Sequence, residues 1–455
     1  MKKYISKSNI LFFVLSLFFA ETLSAQKGQA YEMNIEGVKV IVQPSNNEIV
    51  EVLTVIKGGV QNYTLANQGI EALALNALTE CGTLKDDKNS YKNKLDKVSA
   101  RINGNAGQDF SRISLNCIKM DFDVVWPLYV DAITQPLFDQ KEFDRIKQDA
   151  ITNLRAQASQ PDYAIGKMAK SIAFAGKDNE KSPEGTEASL KKITAEQAKA
   201  HYKNILTRSR ITMVVVGEID RSVLEEKIKS MLSSIPKGQP FSLKKQAYTP
   251  IGTTFKSEKK DLATNYIQAI TGGPLPGSED FNAFSLAMRI FADRHFLDVR
   301  SKNGLSYAPG SWFDGNASSS ANISVSTTEP DKYIAVLRSL IDRTKKTGFD
   351  ADEVKNWKTT YLTSFYYRLE TNSAQAASLA SNEVVHDNWR RALTFNNDIK
   401  KVSVAEVNEA FNKYISNLTW AYQGDPSKVN PILYTQAKTT KPAMPKSKVS
   451  TKKNG

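Results

Sequence analysis

The chain has 455 residues, a formal net charge of +13 and only two cysteines. Cys81 and Cys117 are too few for a disulfide framework and too far apart for a CxxC metal site, which leaves either one disulfide or two buried thiols. Much of the positive charge lies in lysines of the C-terminal tail, and bases elsewhere are interspersed with acids. The charge pattern therefore does not favour nucleic-acid binding.

The first 25 residues have the pattern of a secretory signal peptide. Lysines precede an apolar run from Ile10 to Ala20, and the small residues Ser24 and Ala25 follow. A charged start, a short apolar run and a small-residue cleavage site mark a chain for export. The run is shorter than the roughly 20 residues that a membrane span needs. We therefore expect cleavage near Ala25, an exported chain and no stable membrane insertion.

The body that follows contains an internal repeat. Asp139 with Glu142, and Asp350 with Glu353, each open a long amphipathic stretch, and this acid pair is a helix start signal. Three further features recur at a similar shift: the helix starts at Thr194 and Ser403, the strands 211–216 and 418–423 that follow them, and the strands 52–56 and 266–270 at the front of each half. Such matched order predicts two homologous domains.

We place these domains at about 28–235 and 250–430, with the polar stretch 236–250 as a linker. Helices alternate with strands, so the predicted fold class is α+β, with one mixed β-sheet in each domain and helices packed on one face. Residues 431–455 contain six lysines and no acid. We predict that they form a disordered basic tail.

Two local segments carry candidate chemistry. In the second half, Arg300 and Tyr307 flank Gly304-Leu305. In the first half, Gly104-Asn105-Ala106 precedes an alternating stretch, and this fragment suits an edge strand and a plain turn equally well. Both segments also have an ordinary structural interpretation, because a helix-to-strand corner with a surface arginine would look the same.

A third segment runs from Gly69 to Gly82-Thr83 and has helical periodicity, but it contains no histidine. The three histidines of the chain, His201, His295 and His386, are widely separated, so no single helix turn carries two of them. We interpret them as structural residues, with His201 half-buried in a helix.

The order of these features resembles the insulinase-like (M16) zinc peptidase family, in its two-domain M16B form. Such chains carry a glycine, then HxxEH, then Gly-Thr. Histidines four residues apart share one helix face and hold zinc, and the glutamate activates the bound water. The resemblance covers nearly the whole body and extends to the Arg300–Tyr307 segment.

Aligned on Gly82-Thr83, the family's ligand positions fall at Leu73 and Ala77, its base at Asn76 and its distal ligand near Asn153. None of these side chains replaces a histidine or a carboxylate. The resemblance therefore implies a degenerate metal site, no zinc bound by this chain and a zinc ion in a partner subunit. The neighbouring carboxylates Glu71 and Glu80 we expect on a solvated helix face.

The resemblance also gives the other two segments roles. Arg300 and Tyr307 correspond to a pair that donates hydrogen bonds to the substrate carbonyl and to the developing oxyanion. Asn105 and Ala106 correspond to an edge strand on which a peptide docks by β-augmentation.

From these features we predict a non-catalytic, substrate-positioning subunit of a heterodimeric zinc endopeptidase. Its partner would be an HxxEH-bearing M16 subunit, its substrate a peptide or unfolded protein, and its compartment, by analogy with the family, the periplasm. A second hypothesis is a stand-alone peptide-binding or assembly protein without catalysis. A third uses Ser306 as a nucleophile with His295 or His386 as its base, although a nucleophile elbow must follow a strand and enter a helix.

Overall fold

The structure is a computed structural model that describes residues 28–435. The predicted signal peptide lies outside the described residues. The first half contains the strands β1 (Tyr31–Ile35), β2 (Val38–Gln43), β3 (Ile49–Lys57), β4 (Arg101–Asn105), β5 (Phe110–Ile118) and β6 (Ile211–Val216). Its helices are α1 (Ile70–Glu80), α2 (Lys88–Asp96), α3 (Phe122–Thr134), α4 (Gln140–Ala158), α5 (Pro161–Ala173), α6 (Glu187–Leu190), α7 (Ala195–Ile205) and α8 (Arg221–Ser233).

The second half repeats this plan with fewer strands. Its strands are β7 (Thr254–Lys259), β8 (Asn265–Gly272), β9 (Gly310–Asp314), β10 (Ser320–Thr327) and β11 (Thr419–Gly424). Its helices are α9 (Asp280–Phe296), which continues into a π-helical turn (Leu297–Lys302), α10 (Pro330–Thr347), α11 (Ala351–Arg368), α12 (Asn372–His386), α13 (Arg391–Lys401), α14 (Val404–Tyr414) and α15 (Pro431–Thr435).

The two sheets have matching topology. The first has the order β1-β2-β6-β3-β5-β4 and the second β7-β11-β8-β10-β9. In each sheet one pair is parallel, β2 with β6 and β7 with β11, and the remaining neighbours are antiparallel. The second sheet thus repeats the first without a counterpart of β1. Two mixed sheets with associated helices confirm the predicted α+β fold class.

The helix starts of the repeat have matching caps. The Asp139 carboxylate accepts a hydrogen bond from the Glu142 amide at 3.0 Å, and the Asp350 carboxylate accepts one from the Glu353 amide at 2.8 Å. Thr194 and Ser403 cap α7 and α14 in the same way. These side chains satisfy amides that the first turn of a helix leaves unpaired. The residues that repeat in the sequence therefore begin corresponding helices in the two halves.

Each sheet is covered on its second face by a helix from the other half. In the first sheet, Leu53 of β3 and Val214 of β6 pack against Leu379 and Ala380 of α12. In the second sheet, the core contains α5 together with residues of β8 and β11. Strand β6 is buried along its whole length because both of its faces are covered. The one-face arrangement predicted for each domain becomes two covered faces in the assembled chain.

The stretch 236–250 forms no helix or strand, yet it is held to the first half. The Gln61 side chain donates to the Lys244 carbonyl at 2.8 Å and accepts from the Lys244 amide at 3.0 Å. The Arg210 guanidinium lies 3.8 Å from the centre of the Phe241 ring. Leu243 and Tyr248 are buried. The C-terminal end of the stretch is bonded to the second half, since the Gln246 amide donates to the Ala317 carbonyl at 2.8 Å and the Tyr248 hydroxyl lies 2.6 Å from that of Thr419. The predicted linker is thus a strap that is held by both halves.

One predicted boundary is wrong. Residues 431–435, placed at the start of the disordered tail, form the short helix α15, and Tyr434 is fully buried with its hydroxyl donating to the Pro330 carbonyl at 2.8 Å. Tyr434 alone of the apolar run 432–434 drives this docking, since it packs on Phe255 and Trp420 while Ile432 and Leu433 are exposed. The rest of the predicted tail lies outside the described residues. Within residues 28–435, none of the helices is long and apolar enough to cross a bilayer.

Asn372, at the start of α12, is a buried polar residue between the two halves. Its amide nitrogen donates to Asn47 at 2.8 Å and to the Ile49 carbonyl at 2.6 Å, and its oxygen accepts from Ser45 at 2.9 Å. These bonds join α12 to the loop before β3, so they fix the helix on the first sheet.

We predict that Asn372→Ala lowers the free energy of unfolding by about 2–3 kcal/mol, because it leaves buried polar groups without partners. Urea denaturation followed by circular dichroism measures the change. The exposed Asn89→Ala on α2 serves as the matched control and is expected to stay within about 0.5 kcal/mol. Equal stability of the two variants would contradict an anchoring role for Asn372.

Candidate functional site

Helix α1 and helix α4 bring the four degenerate metal positions to one region. Leu73, Asn76 and Asn153 line a cavity of about 180 Å³ together with Leu154 and Gly69. Asn76 and Asn153 are exposed, whereas Leu73 is 1% exposed. Ala77 lies one turn beyond Leu73, is fully buried and does not line this cavity. The region thus presents the amides of Asn76, Asn153 and Gln157 and the carboxylate of Glu184 beside an apolar floor.

The donor chemistry of this cavity does not suit zinc. Zinc prefers imidazole, thiolate and carboxylate ligands, and Leu73 and Ala77 contribute no donor atom. No group of three or more His, Cys, Asp or Glu side chains within residues 28–435 is arranged to hold a metal ion. What the cavity offers instead is hydrogen bonding through the Asn76 and Asn153 amides, which are able to contact a peptide backbone.

The expectation for Glu71 is wrong, because its side chain is fully buried rather than solvated. It accepts hydrogen bonds from the Ser111 hydroxyl and from the Asn62 amide, the latter at 3.0 Å, and lies 3.1 Å from Nε2 of His201. The Arg210 guanidinium donates to the Asn62 oxygen at 2.7 Å. A buried carboxyl group is tolerated only when it is hydrogen-bonded. Glu71 meets this condition through Ser111, Asn62 and His201.

The network around Glu71 joins elements that are distant in sequence. Ser111 is on β5, His201 is on α7 and Asn62 precedes α1. His201 has the half-buried position predicted for it, and the ring of Tyr63 meets it edge-on at 6.2 Å. Burial and the Glu71 charge together raise the pKa of Tyr63. The network holds α1, and with it the degenerate metal positions, against the sheet.

Glu80, the other carboxylate of α1, does face solvent in part. It forms ion pairs with Lys92 at 2.5 Å and with Arg145 at 2.9 Å. Hydrogen bonds and charge from these two bases lower its pKa, although burial acts in the opposite direction. Glu80 therefore links α1 to α2 and α4 and has a structural role.

The segment Gly104-Asn105-Ala106 lies at the edge of the first sheet. Asn105 is the last residue of β4, which pairs only with β5, and Ala106 begins the connection between the two. A Cβ at Gly104 would lie 2.4 Å from the Leu75 carbonyl oxygen, so β4 approaches α1 closely. Both sequence interpretations describe part of this segment, with a strand to Asn105 and a turn from Ala106. β-augmentation at this edge remains a prediction.

Arg300 and Tyr307 contact each other in the second half. Arg300 lies in the π-helical turn, donates to the Tyr307 carbonyl at 3.0 Å and stacks over the Tyr307 ring at 4.0 Å. Tyr307 is 78% exposed. Within residues 28–435, no carboxylate lies in ion-pair range of Arg300, and no hydrogen bond joins the pair to α1 or α4. Chain folding thus forms the pair but does not join it to the degenerate metal positions.

The serine-nucleophile hypothesis is not supported by the local structure. Ser306 follows a π-helical turn and precedes β9, the reverse of the strand-to-helix order that an elbow requires. His295 is fully buried, and its ring nitrogens form hydrogen bonds with the Ser311 hydroxyl at 2.9 Å and the Tyr333 hydroxyl at 3.2 Å. His386 packs edge-on against Phe281. Neither histidine makes a hydrogen bond to Ser306 in the described part of the chain.

The two cysteines are free and buried. Burial raises the pKa of both Cys81 and Cys117 to about 12. A reactive cysteine needs a lowered pKa that favours the thiolate. Of the two alternatives left by the sequence, the structure has the pair of buried thiols, and they are packing residues.

Comparison with known proteins finds a family model that matches part of the chain. Residues 192–361 match the family model described as "Peptidase M16 inactive domain". The resemblance to the M16 peptidases is confirmed. This stretch crosses from α7 in the first half to α11 in the second, so the match includes parts of both repeats.

Curated relatives of the chain carry contrasting names. The "Non-peptidase homolog YmxG" of Helicobacter pylori is 20% identical over 90% of this chain and 97% of its own length. The "Uncharacterized zinc protease YmxG" of Bacillus subtilis is 18% identical over 72% of this chain and 81% of its own length.

Solved structures share the fold. A peptidase M16 inactive domain from Pseudomonas fluorescens superposes with a TM-score of 0.79 at 17% identity, covering 89% of this chain and all of that one. The periplasmic protease PqqL from Escherichia coli gives a TM-score of 0.75 at 15% identity, covering 93% of this chain and 51% of that one. At these identities the likeness establishes the fold.

We predict that Glu71→Ala lowers the free energy of unfolding by roughly 3 kcal/mol, because it leaves Ser111, Asn62 and His201 without their buried hydrogen-bond partner. Glu71→Gln keeps an oxygen acceptor and should cost less. Glu80→Ala, which removes half-exposed ion pairs, should cost about 1 kcal/mol or less. Chemical denaturation of the three variants tests this order, and a Glu80 variant as unstable as Glu71→Ala would refute it.

Acid should destabilise the fold through its buried histidines. Burial lowers the pKa of His295, and also that of His386, to about 4, whereas an unfolded histidine titrates near 6.5. Between these values the unfolded chain binds more protons than the folded chain, so the free energy of unfolding falls as the pH falls from about 6.5 to 4. His295 alone contributes roughly 3 kcal/mol over this range.

Denaturation at several pH values measures this slope. The double variant His295→Asn/His386→Asn lacks both titrating groups and should show a shallower pH dependence than the parent chain. The exposed Asn89→Ala, which leaves all three histidines in place, is the comparison and should keep the slope of the parent chain. Identical slopes in the parent and the double variant would contradict the prediction.

Proposed function

We propose that the chain is the non-catalytic, substrate-positioning subunit of an exported, heterodimeric zinc endopeptidase of the M16 type. The observation that carries the proposal is the exposure of the Arg300–Tyr307 pair and its lack of a carboxylate partner. The two side chains are stacked on each other, Tyr307 is exposed and Arg300 partly so, and the Arg300 guanidinium has no carboxylate partner in the described structure. Their hydrogen-bond donors are therefore available to a substrate oxygen.

The first half also supports a split between one subunit that positions the substrate and another that binds the metal. Its metal positions hold Leu73 and Ala77, which are packed into the core and contribute no ligand atom. A hydrolytic metal would therefore have to come from another chain. The name of the Helicobacter pylori relative, a non-peptidase homolog, fits this assignment.

The difference in length between this chain and PqqL supports a two-chain enzyme. This chain aligns over 93% of its own length with 51% of the periplasmic protease. A second chain of similar size would supply what corresponds to the other half. We propose that this second chain carries HxxEH and holds the zinc, and that the two chains enclose a chamber for a peptide or unfolded segment.

The edge strand β4 is the proposed docking line for the substrate. Its free edge continues the first sheet, and unpaired backbone groups on an edge are a template for an added strand. The exposed amides of Asn76 and Asn153 lie on the helices beside it. Export to the periplasm is proposed from the signal-peptide pattern and from the compartment named for PqqL.

A second candidate is a stand-alone peptide-binding or assembly protein. It is favoured by the absence, within residues 28–435, of any hydrogen bond between the Arg300–Tyr307 pair and the cavity on α1 and α4. A pull-down of the tagged mature chain from its own cells, with zinc quantified in the eluate, separates the candidates. An HxxEH-bearing partner and about one zinc ion per pair favour the endopeptidase subunit. A lone, zinc-free chain favours the binding protein.

In the reconstituted pair, we predict that Tyr307→Phe and Arg300→Ala each lower turnover of a model peptide by roughly 10- to 100-fold, because each removes a donor aimed at developing negative charge. Assembly should be unchanged, as measured by size-exclusion chromatography. The matched controls are Tyr367→Phe, at a tyrosine that is 69% exposed, and Arg221→Ala on α8. Full turnover in both test variants would reject the positioning role.

A further inference from the structure

A second cavity lies in the other half of the molecule, between α9, α11, α12 and α13. It has a volume of about 320 Å³ and shares no residue with the cavity on α1 and α4. This volume falls at the lower end of the roughly 300–1,000 Å³ range of small-molecule sites. Neither the M16 resemblance nor the proposed function uses this cavity.

Aromatic rings form much of its wall. The Phe395 ring lies 5.1 Å from that of Phe365 and 5.2 Å from that of Tyr361. On another side, Phe281 meets the ring of His386 edge-on at 4.8 Å. Aromatic rings prefer offset or edge-to-face contacts with further rings, so this wall favours a planar aromatic guest.

The charged groups of the cavity are all basic. Arg368 and Arg391 line it, and none of its lining residues is Asp or Glu. Within residues 28–435, neither guanidinium has a carboxylate in ion-pair range. Arg391 donates to the Asn282 oxygen at 3.3 Å, and its buried Nε has no hydrogen-bond partner. Unpaired guanidinium groups are suited to carboxylates, which they bind with two parallel hydrogen bonds.

A further polar atom is also without a partner. Nδ1 of His386 is buried and makes no hydrogen bond within the described chain. Buried polar groups without partners are rare in native proteins, and each one needs an explanation. Two of them, on Arg391 and His386, line one cavity.

Small side chains on helix α12 leave space for the cavity. Ala374, Ser378, Asn382 and His386 recur every four residues and line it, as expected for one face of a helix. Two of these side chains are small, which leaves space beside the rings. The opposite face of α12 carries Leu379 and Ala380 onto the first sheet. The cavity therefore lies behind the helix that joins the two halves.

We propose that this cavity binds an aromatic carboxylate, with the ring against Tyr361, Phe365 and Phe395 and the carboxylate at Arg368 and Arg391. This chemistry has two sources, namely a free aromatic acid or the C-terminal aromatic residue of a peptide. Binding does not depend on the proposed endopeptidase role, because Arg300, Tyr307 and the degenerate metal positions are outside the cavity.

Isothermal titration calorimetry of the mature chain with 3-phenylpropionate tests the proposal, with 3-phenylpropionamide as the uncharged comparison. The acid should bind saturably and the amide at least about ten-fold more weakly, because charge-assisted bonds to guanidinium are lost. A pentapeptide ending in phenylalanine, as the free acid and as the amide, distinguishes the sources. Tighter binding of the peptide acid assigns the site to peptide termini, and tighter binding of 3-phenylpropionate assigns it to free acids.

Two variants locate the binding. Arg368→Gln/Arg391→Gln removes the charge, and Ser378→Leu fills the cavity from α12 without changing charge. Each should weaken binding at least about ten-fold. Arg221→Gln and Ser230→Leu, both at exposed positions of α8, are the matched controls and should bind as the parent does.

Circular dichroism and thermal melts establish that each variant is folded. If the double arginine variant does not fold, Ser378→Leu still decides the location. The absence of saturable binding to the folded parent chain, by the acid and by the peptide, would overturn the proposal. Unchanged affinity in folded Ser378→Leu would overturn it as well.

Discussion

The fold depends on the exchange of one helix between the two halves. Each sheet has two apolar faces, and the helices of its own half cover only one of them. Helix α12 covers the remaining face of the first sheet and α5 that of the second. Apolar burial at about 25 cal/mol per Å² makes such a face too costly to leave in water. The two halves are therefore parts of one cooperative structure, although their sequences form a repeat.

Much of this architecture follows from local rules. Helix starts at Asp139 and Asp350 could be predicted because a capping acid with a glutamate three residues later is a recognisable sequence pattern. The all-apolar strand Ile211–Val216 could be recognised by composition alone. What the sequence did not show is which partner covers each apolar face, because α12 and the first sheet are separated by most of the chain. The same limit explains α15, since the docking of Tyr434 depends on Trp420 and Phe255.

At the candidate site, residue identity was predictable and environment was not. The family pattern located Leu73, Ala77, Arg300 and Tyr307 by spacing. It did not reveal that Glu71 is buried, although Glu71 shares a helix face with Ala74, Leu75 and Leu78, and that face is apolar. The partner that makes its burial tolerable, His201, is on another helix. An isolated carboxylate on an apolar stripe is thus a signal for a buried network.

The packing of Leu73 and Ala77 bears on the history of this site. Both side chains belong to the main core cluster and are at most 1% exposed. A site that had merely lost its ligands would keep their space, and a single substitution could restore a histidine. An imidazole at Ala77 would meet a close-packed interior, where overpacking typically costs about 1–3 kcal/mol. Leu73, in contrast, also lines the cavity of about 180 Å³ between α1 and α4, so packing opposes the return of the ligand pair mainly at Ala77.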